Sequence, residues 1–188
     1  MARIGLVYED EAIRVVFEVL APKVLGTPVE LEVRLGRNWP GVLGELPGLL
    51  QGLNVTHTWN PFDCVMVIVD ANGEGSVRRE QRLFDKVGNR QFRFGNPKYH
   101  AIMRQVEAWL LADPDAINSA AGARIPRVAD PESMLDAKRH LIQVLKNHGS
   151  SYNRQFVRAA AEAASVDRIA EKCPGFRDFV DKLKECCG

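Results

Sequence analysis

The sequence predicts an α/β protein with a mostly parallel sheet flanked by helices, followed by a C-terminal helical extension. Two observations predict this class. Short apolar runs alternate with helical patterns over residues 1–98, whereas residues 99–188 carry helical patterns almost throughout. Strands that alternate with helices are joined by crossovers, which favours parallel pairing. We therefore expect an α/β domain at residues 1–98 and a helical extension packed on it at 99–188.

Four segments of the first half carry strand signals. Residues 4–8 and 64–69 are continuous apolar runs, which is typical of strands buried on both faces. Residues 31–35 alternate between apolar and charged side chains and predict a half-exposed strand. Residues 91–94 alternate Phe with polar residues, which predicts a fourth strand at an edge of the sheet.

Helical signals connect these strands. Apolar residues at helical spacing predict a helix over 11–25, which Gly26 closes and which Pro22 either ends early or kinks. A short helix is expected around Val42–Leu50, and a charged one over about Ser76–Val87.

The second half is punctuated as a series of helices. Asp113-Pro114 and Asp130-Pro131 each place an N-cap acceptor before a proline at the first helical position. Further helices are expected over residues 132–147, over 155–171 and after Pro174. Residues 99–111 are also predicted to be helical, with one stripe formed by His100, Arg104, Glu107 and Leu111.

Composition narrows the class of protein. The chain has 188 residues, 46% of them hydrophobic and 26% charged, which is typical of a globular domain. Its net charge of +1 gives no overall attraction to nucleic acid, so such binding needs a local basic patch. The apolar runs are too short to cross a membrane, and charges within residues 1–20 argue against a secretory signal. We expect a cytoplasmic protein with reduced cysteines, Cys64 being a small buried hydrophobe.

Acidic side chains follow the two most apolar strand signals. Glu9, Asp10 and Glu11 follow the first, and Asp70 and Glu74 follow the run at 64–69. Because ligands of open α/β sheets bind outside the carboxyl ends of the strands, the two groups are expected to converge. Close carboxylates repel, so such a site holds a hard divalent cation or shares a proton. In the alternative interpretation these residues only cap and stabilise helix N-termini.

Four stretches together resemble a known family: VYEDEAIRVVFEVLAPKVL, VIVDANGEG, KYHAIMRQVEAWLLADPDAI and SSYNRQFVRAAAEAASVDRIAEKCPGFRDFVDKL. Over nearly its whole length the chain is similar to an uncharacterised bacterial family of Toprim-like proteins related to the OLD (overcoming-lysogenization-defect) nucleases. In the Toprim superfamily a Glu follows the first strand, and an Asp-x-Asp follows the third. Glu9 and Asp70 match the first two positions, whereas Asn72 replaces the second Asp.

The resemblance implies metal-dependent phosphoryl transfer on nucleic acid. Glu9 is then a metal ligand or general base, and Asp70 is the principal ligand of Mg²⁺ or Mn²⁺. Asn72 offers a neutral oxygen and removes one negative charge, for which Glu74 or Asp10 compensates.

The resemblance also makes Glu107 a further ligand, or a residue that orients Arg104. The alternative is an ordinary Arg104–Glu107 surface pair, with His100 on the same stripe.

Basic residues near the acidic ones are candidate phosphate contacts. Arg78, Arg82 and Lys86 recur every four residues on the helix that follows Asp70, and either track a nucleic-acid backbone or form a solvated face. Lys138, Tyr152 and Arg154 match positions where relatives carry polar residues, and are expected to line the same cleft.

Three functions remain open from the sequence. The first is a Mg²⁺- or Mn²⁺-dependent nuclease. The second is a catalytically inactive Toprim-like subunit for binding or regulation that partners an ATPase. The third is a phosphate-accepting receiver domain, which is the weakest because helices replace the fifth strand that supplies its lysine.

Overall fold

The computed structural model describes residues 1–56 and 61–188. Its strands are β1 (Ala2–Tyr8), β2 (Val29–Leu35), β3 (Cys64–Asp70) and β4 (Lys98–Ile102). Its helices are α1 (Glu11–Leu25), α2 (Trp39–Thr56), α3 (Ser76–Val87), α4 (Glu107–Ala112), α5 (Pro114–Ala121), α6 (Ala137–Asn147), α7 (Arg154–Ala163), α8 (Val166–Lys172) and α9 (Pro174–Cys187). The strands form one sheet of order β2-β1-β3-β4, and each neighbouring pair is parallel. The predicted α/β class, with a parallel sheet flanked by helices and a helical C-terminal part, is confirmed.

The apolar composition of β1 and β3 explains their central position. All seven residues of β3 and five of the seven of β1 are buried, as expected for strands covered by helices on both faces. Leu6 pairs with Met66 on the face covered by α1 and the C-terminal helices. Val7 pairs with Val67 on the face covered by α2 and α3. The sheet is therefore the middle layer between two hydrophobic cores.

Side-chain caps fix the starts of several helices. Asp10 Oδ1 accepts the backbone N–H of Ile13 at 3.0 Å and begins α1, which runs through Pro22 to the left-handed Gly26. Asp113 caps α5 with Pro114 in the first position, as predicted. A helix beginning after Asp130-Pro131 was also expected, and that prediction is wrong. The carboxylate of Asp130 closes a turn there, and α6 begins only after Asp136.

The C-terminal helices pack on the sheet through aromatic rings. Trp109 and Phe176 meet edge to face, with ring centroids 4.9 Å apart, and Phe179 packs against both of them and against Phe17 of α1. Large rings bury much apolar surface, so this cluster holds α4 and α9 against α1. No helix in the described parts of the chain combines the length and apolarity needed to cross a bilayer.

The fourth strand lies later in the chain than predicted. Residues 91–94 are not a strand, because Phe92 and Phe94 stack on each other at 4.9 Å beside a turn closed by the N–H of Gly95. The strand is Lys98–Ile102, paired with β3. The helix predicted over 99–111 is therefore also wrong, and only α4 at its end is helical. The division into two domains at residues 98 and 99 stays a prediction.

A disulfide joins the sheet to the last helix. Cys64 of β3 and Cys186 of α9 are bonded across a sequence separation of 122, with their Cα atoms 5.2 Å apart. The expectation of reduced cysteines is therefore wrong for this pair in the structure, whereas Cys173 and Cys187 are free thiols. The tertiary packing of α9 brings the two sulfur atoms together.

Candidate metal and phosphate site

Two predicted site residues meet where the strand order changes direction. The chain passes from β1 outward to β2, and from β3 outward to β4, so the gap between β1 and β3 is the topological switch point. Glu9 follows β1, and Asp70 ends β3. Glu9 Oε2 accepts the backbone N–H of Asp70 at 3.0 Å, and the Glu9 carboxylate also accepts the N–H of Trp39. The predicted convergence of the two acidic groups is present.

Asp70 is the most strongly perturbed carboxyl of this site. The residue is 7% exposed, and its Oδ1 accepts the N–H of Val106 at 3.2 Å. Burial raises its pKa well above the usual value, and the charges of Glu107, Asp10 and Glu9 raise it further. Without a cation, Asp70 therefore retains its proton at higher pH than an exposed aspartate does.

Glu107 lies beside Asp70 and is buried. It opens α4 with 1% of its surface exposed, and burial raises its pKa. Tyr152 donates a short hydrogen bond from its hydroxyl to Glu107 Oε1. Burial, followed by the charge of Glu107, raises the pKa of Tyr152, so the phenol stays a donor. Glu107 thus lies beside Asp70, as the resemblance implied, although the predicted helical stripe that included it does not exist.

Lys138 supplies a positive charge to this acidic group. Its Nζ lies 3.2 Å from Asp10 Oδ2 and 3.6 Å from Glu107 Oε1, above the ring of Tyr152. Burial acts to lower its pKa, but the nearby carboxylates of Glu107 and Asp10 outweigh this, and the pKa is raised. The Lys138 ammonium therefore bridges two of the carboxylates that a metal would use.

Arg79 is a site residue that the sequence did not single out. Its guanidinium lies over the ring of Trp39 at 4.0 Å, and only 6% of the residue is exposed. Burial raises the pKa of Glu9, and the charge of Arg79 opposes that rise. In the described residues, Arg79 Nη1 is buried without a hydrogen-bond partner, and Nε is paired with the Glu74 carboxylate without a hydrogen bond of good geometry. Its neighbours Arg78 and Arg82 are exposed, although Arg82 also lies over the ring of Trp39 at 5.1 Å, so burial is what distinguishes Arg79 from them.

Asn72 and Glu74 lie in the loop that follows β3. Asn72 is exposed with a φ of 44°, and its N–H donates to the carbonyl of Arg104 at 3.2 Å. Glu74 Oε1 accepts from Arg82 at 2.7 Å, and Oε2 lies 3.2 Å from Arg79 Nε. This bonding to Arg82 lowers the pKa of Glu74. Both carboxylate oxygens of Glu74 are thus paired with arginines.

Arg104 lines a cavity beside this loop. Its φ of 69° places it in a turn before α4, so it is not paired with Glu107 along a helix. The cavity, of about 340 Å³, is bounded by the residues that follow β3 and β4 and by the turn at Glu132 and Ser133. A Cβ atom at Gly73, where φ is +88°, would approach Arg104 Nη1 to 3.1 Å. The carboxyl edge of the sheet therefore has room for a small ligand next to Asp70.

The remaining predicted residues are placed in different surroundings. His100 is buried in β4 against Trp109 and Phe179, with Glu80 and Asp178 as its acidic neighbours. Arg78 and Lys86 are exposed on α3. Arg154 is exposed at the start of α7, and its charge acts on Tyr8 and Glu11 at the end of β1.

The site can attract a cation, but its carboxylates are not closely gathered. In the described residues, no three carboxylates around Asp70 have ligand atoms all within 4.8 Å of one another. A divalent ion would therefore have to draw them together, and would compete with Lys138 for Asp10 and Glu107. The donor set is made of oxygens, which suits Mg²⁺ or Mn²⁺.

Comparison with known proteins gives one match. The family described as Domain of unknown function (DUF4276) matches residues 14–184. No curated protein and no solved structure shows significant similarity to the chain.

Proposed function

This chain belongs to the DUF4276 family, and from the residues of its own site we propose that it is a metal-dependent phosphoryl-transfer protein that acts on nucleic acid as a Toprim-like nuclease. The observation that carries the proposal is the set of acidic charges acting on one buried carboxyl. Glu9, Asp10 and Glu107 all raise the pKa of Asp70 at the switch point of the sheet. Such crowding is costly unless a cation or a proton compensates it.

In this proposal the acidic residues have different roles. Asp70 and Glu9 would hold Mg²⁺ or Mn²⁺, with Asn72 as a further, neutral oxygen donor. When bound, such a cation would supply positive charge to the phosphoryl oxygens and lower the pKa of a coordinated water. Glu9, whose carboxylate is oriented by two backbone N–H groups, is also placed to take a proton from the attacking water.

Basic side chains would bind the nucleic-acid backbone. Arg78, Arg82 and Lys86 lie along α3, which begins six residues after Asp70, and Arg154 lies on the β1 side. Lys138 would both balance the charge of the acidic residues and contact a phosphate, because its ammonium already lies close to Asp10 and Glu107. Each neutralised phosphate adds salt-dependent affinity.

A second candidate function is a catalytically inactive subunit that partners an ATPase. The observation that favours it is the position of Lys138 between Asp10 and Glu107, where an internal cation makes a metal unnecessary. The bonding of Glu74 to arginines and the replacement of an aspartate by Asn72 weaken the metal site further. In this case the basic side chains along α3 would bind nucleic acid, and the protein would not cleave it.

We further propose a cytoplasmic location. Thiols are kept reduced in that compartment, so Cys64 and Cys186 would there be two neighbouring thiols, which the packing of α9 on β3 keeps in position to form the bond on oxidation.

Metal titration separates the two candidates. We expect calorimetry to show that Mn²⁺ binds the wild-type protein. The Asp70→Asn variant, which preserves the side-chain volume, is expected to lose this affinity. Asp63→Asn is the matched control, because Asp63 lies at the opposite end of β3 and its carboxylate accepts the N–H of Arg3.

A cleavage assay then tests the activity itself. Wild type with Mn²⁺ is expected to nick plasmid or digest single strands, whereas Glu9→Gln and Asp70→Asn are expected to be inactive. Mn²⁺ binding without cleavage of any tested strand would favour the inactive subunit. Identical Mn²⁺ titrations of wild type and Asp70→Asn would exclude a metal at Asp70.

A further inference from the structure

A second polar cluster lies at the β4 edge of the sheet. It brings together Glu80 of α3, His100 of β4 and Asp178 of α9. His100 Nδ1 is 3.4 Å from Asp178 Oδ2 and 3.8 Å from Glu80 Oε1. All three ligand atoms lie within 4.8 Å of one another, a closer grouping than the carboxylates around Asp70 achieve.

The imidazole of His100 has unused binding capacity. The residue is 1% exposed, and in the described residues neither ring nitrogen makes a hydrogen bond of good geometry, Nδ1 lying 3.4 Å from the carboxylate of Asp178. A buried polar group without a partner is costly, so a site of this kind calls for a ligand. A neutral imidazole has a lone pair with which to bind a metal, and histidine is the commonest metal ligand in proteins. The rings of Trp109 and Phe179 pack against it and fix its orientation.

The distances suit a four-coordinate transition metal. Zn²⁺ binds nitrogen and carboxylate oxygen at about 2.0–2.2 Å, so neighbouring ligand atoms in a tetrahedral site are roughly 3.3–3.5 Å apart. The His100–Asp178 separation falls in that range, and the His100–Glu80 separation is a few tenths of an ångström longer. The N–H of Ala101 donates to Glu80 Oε1 at 2.9 Å and orients that carboxylate.

Lys182 marks the position of a cation within this cluster. Its Nζ lies 2.8 Å from both carboxylate oxygens of Glu80 and 2.7 Å from Asp178 Oδ2. An ammonium ion therefore already balances the two carboxylates. Lys182 lies on α9 with 22% of its side chain exposed, so the ammonium can turn outward into water if another cation takes its place.

We propose that Glu80, His100 and Asp178 form a Zn²⁺ site that fastens α9 to the edge of the sheet, and that Lys182 is the internal cation that Zn²⁺ displaces. The exchange needs no change in covalent bonds, because the neutral imidazole and the two carboxylates bind as they stand. A fourth coordination position is left for water. The site joins α3, β4 and α9, so occupancy stabilises the folded state by mass action.

Zinc titration of three variants tests this site independently of the proposed nuclease centre. All titrations use Asp70→Asn as the background, which removes the principal ligand of the other site. We expect one Zn²⁺ per chain and a higher melting temperature with Zn²⁺. Asp178→Asn and His100→Gln are each expected to weaken binding at least tenfold, since even outer partners of a metal site contribute 10–100-fold. Lys182→Gln is expected to tighten it about tenfold.

The controls separate a metal site from damage to the fold. Asp181→Asn alters an exposed neighbour on the same helix and is expected to leave Zn²⁺ affinity unchanged. If His100→Gln unfolds, Asp178→Asn, whose side chain is 53% exposed, carries the test. The proposal is overturned if Lys182→Gln binds no Zn²⁺ or binds it more weakly. It is also overturned if Asp178→Asn binds as tightly as the background, because Zn²⁺ then lies at the free thiols or the remaining acidic residues.

Discussion

The backbone N–H of Asp70 donates to Oε2 of Glu9 at 3.0 Å, although 61 positions separate the two residues. The hydrogen bond ties the carboxyl ends of β1 and β3 directly to each other. It also gives the two carboxylates different surroundings. Burial raises the pKa of Glu9, and backbone donors and the charge of Arg79 oppose only part of that rise, whereas burial and three acidic neighbours together raise the pKa of Asp70. Asp70 is therefore the residue at which removing a charge has the clearest consequences.

The first prediction concerns stability against pH in Asp70→Asn. The raised pKa of Asp70 means that the folded state keeps a proton which the unfolded state has lost. The contribution of Asp70 to the free energy of unfolding is therefore fully present below its pKa in the unfolded chain, about 3.9. It is lost as pH rises through its higher pKa in the folded protein. Asn cannot titrate, so the variant should lose less stability than wild type between pH 4 and 8. Urea unfolding with a chelator measures this.

The control for this comparison is Asp63→Asn, which makes the same substitution at the other end of β3. Glu9 and Glu107 also have raised pKa values, so part of the decline is expected to persist in Asp70→Asn. Parallel stability curves for Asp70→Asn and wild type would contradict the prediction.

The second prediction concerns Lys138→Gln. Removing the ammonium leaves Asp10 and Glu107 without their shared cation, and we expect a loss of roughly 1 kcal/mol because Lys138 is 37% exposed. Mn²⁺ should then bind more tightly than to wild type and restore the lost stability. Thermal melts with and without Mn²⁺ measure both effects. Lys146→Gln, near the exposed end of the same helix, is the control, and equal Mn²⁺ responses in the two variants would contradict competition at Lys138.

The third prediction concerns Asn72→Asp. Asp tolerates the left-handed conformation of this position nearly as well as Asn does, and the side chain is exposed, so folding should be little affected. A unit charge attracts a divalent ion at 4 Å in water by about 2 kcal/mol before screening. We therefore expect Mn²⁺ affinity to rise about tenfold. Calorimetry measures this against Asn89→Asp, which adds the same charge after α3. Unchanged affinity and an unchanged melt with Mn²⁺ would argue that no cation binds beside Asn72.

The fourth prediction concerns the Cys64–Cys186 disulfide. A bridge across 122 positions restricts the unfolded chain, and its removal typically costs about 2–4 kcal/mol. Urea unfolding of wild type should therefore shift to lower urea when reductant is added. Cys186→Ser should unfold at the reduced midpoint under both conditions, whereas Cys187→Ser should behave as wild type. If reductant leaves the urea midpoint of wild type unchanged, the disulfide is not formed in solution.

The sequence was sufficient for the central strands and for Glu9 and Asp70. Continuous apolar runs identify β1 and β3 because both faces of each strand are buried, and the acidic residues at their ends then follow from parallel topology. The fourth strand could not be found in this way. Its residues include Lys98 and His100, which are polar. The ammonium of Lys98 pairs with Glu185, and the imidazole of His100 lies beside Asp178. Both partners belong to α9, about eighty positions away.

Long-range packing explains the other differences. The bonds of Lys138 to Asp10, of Tyr152 to Glu107 and of Cys64 to Cys186 each join segments more than 40 positions apart. No local pattern records such pairings, although the resemblance to Toprim-like proteins did point to Lys138 and Glu107. Arg79 differs from Arg78 and Arg82 in being buried, with its guanidinium only 4.0 Å from the centre of the Trp39 ring, and the four-residue repeat of basic side chains gives no sign of this.

The position of the disulfide also determines how the protein would respond to mechanical load. If the chain ends are pulled apart, tension enters at residue 186 and passes straight to residue 64, so the intervening chain carries none of it. At roughly 3.5 Å per residue, about 40 nm of extended length is hidden until the bond is reduced. Asp70 lies within the shielded loop and Glu9 lies outside it. Stretching the oxidised protein would therefore separate these two carboxylates without placing the C-terminal helices under tension, and a single-molecule pulling trace would gain the hidden length only after reductant is added.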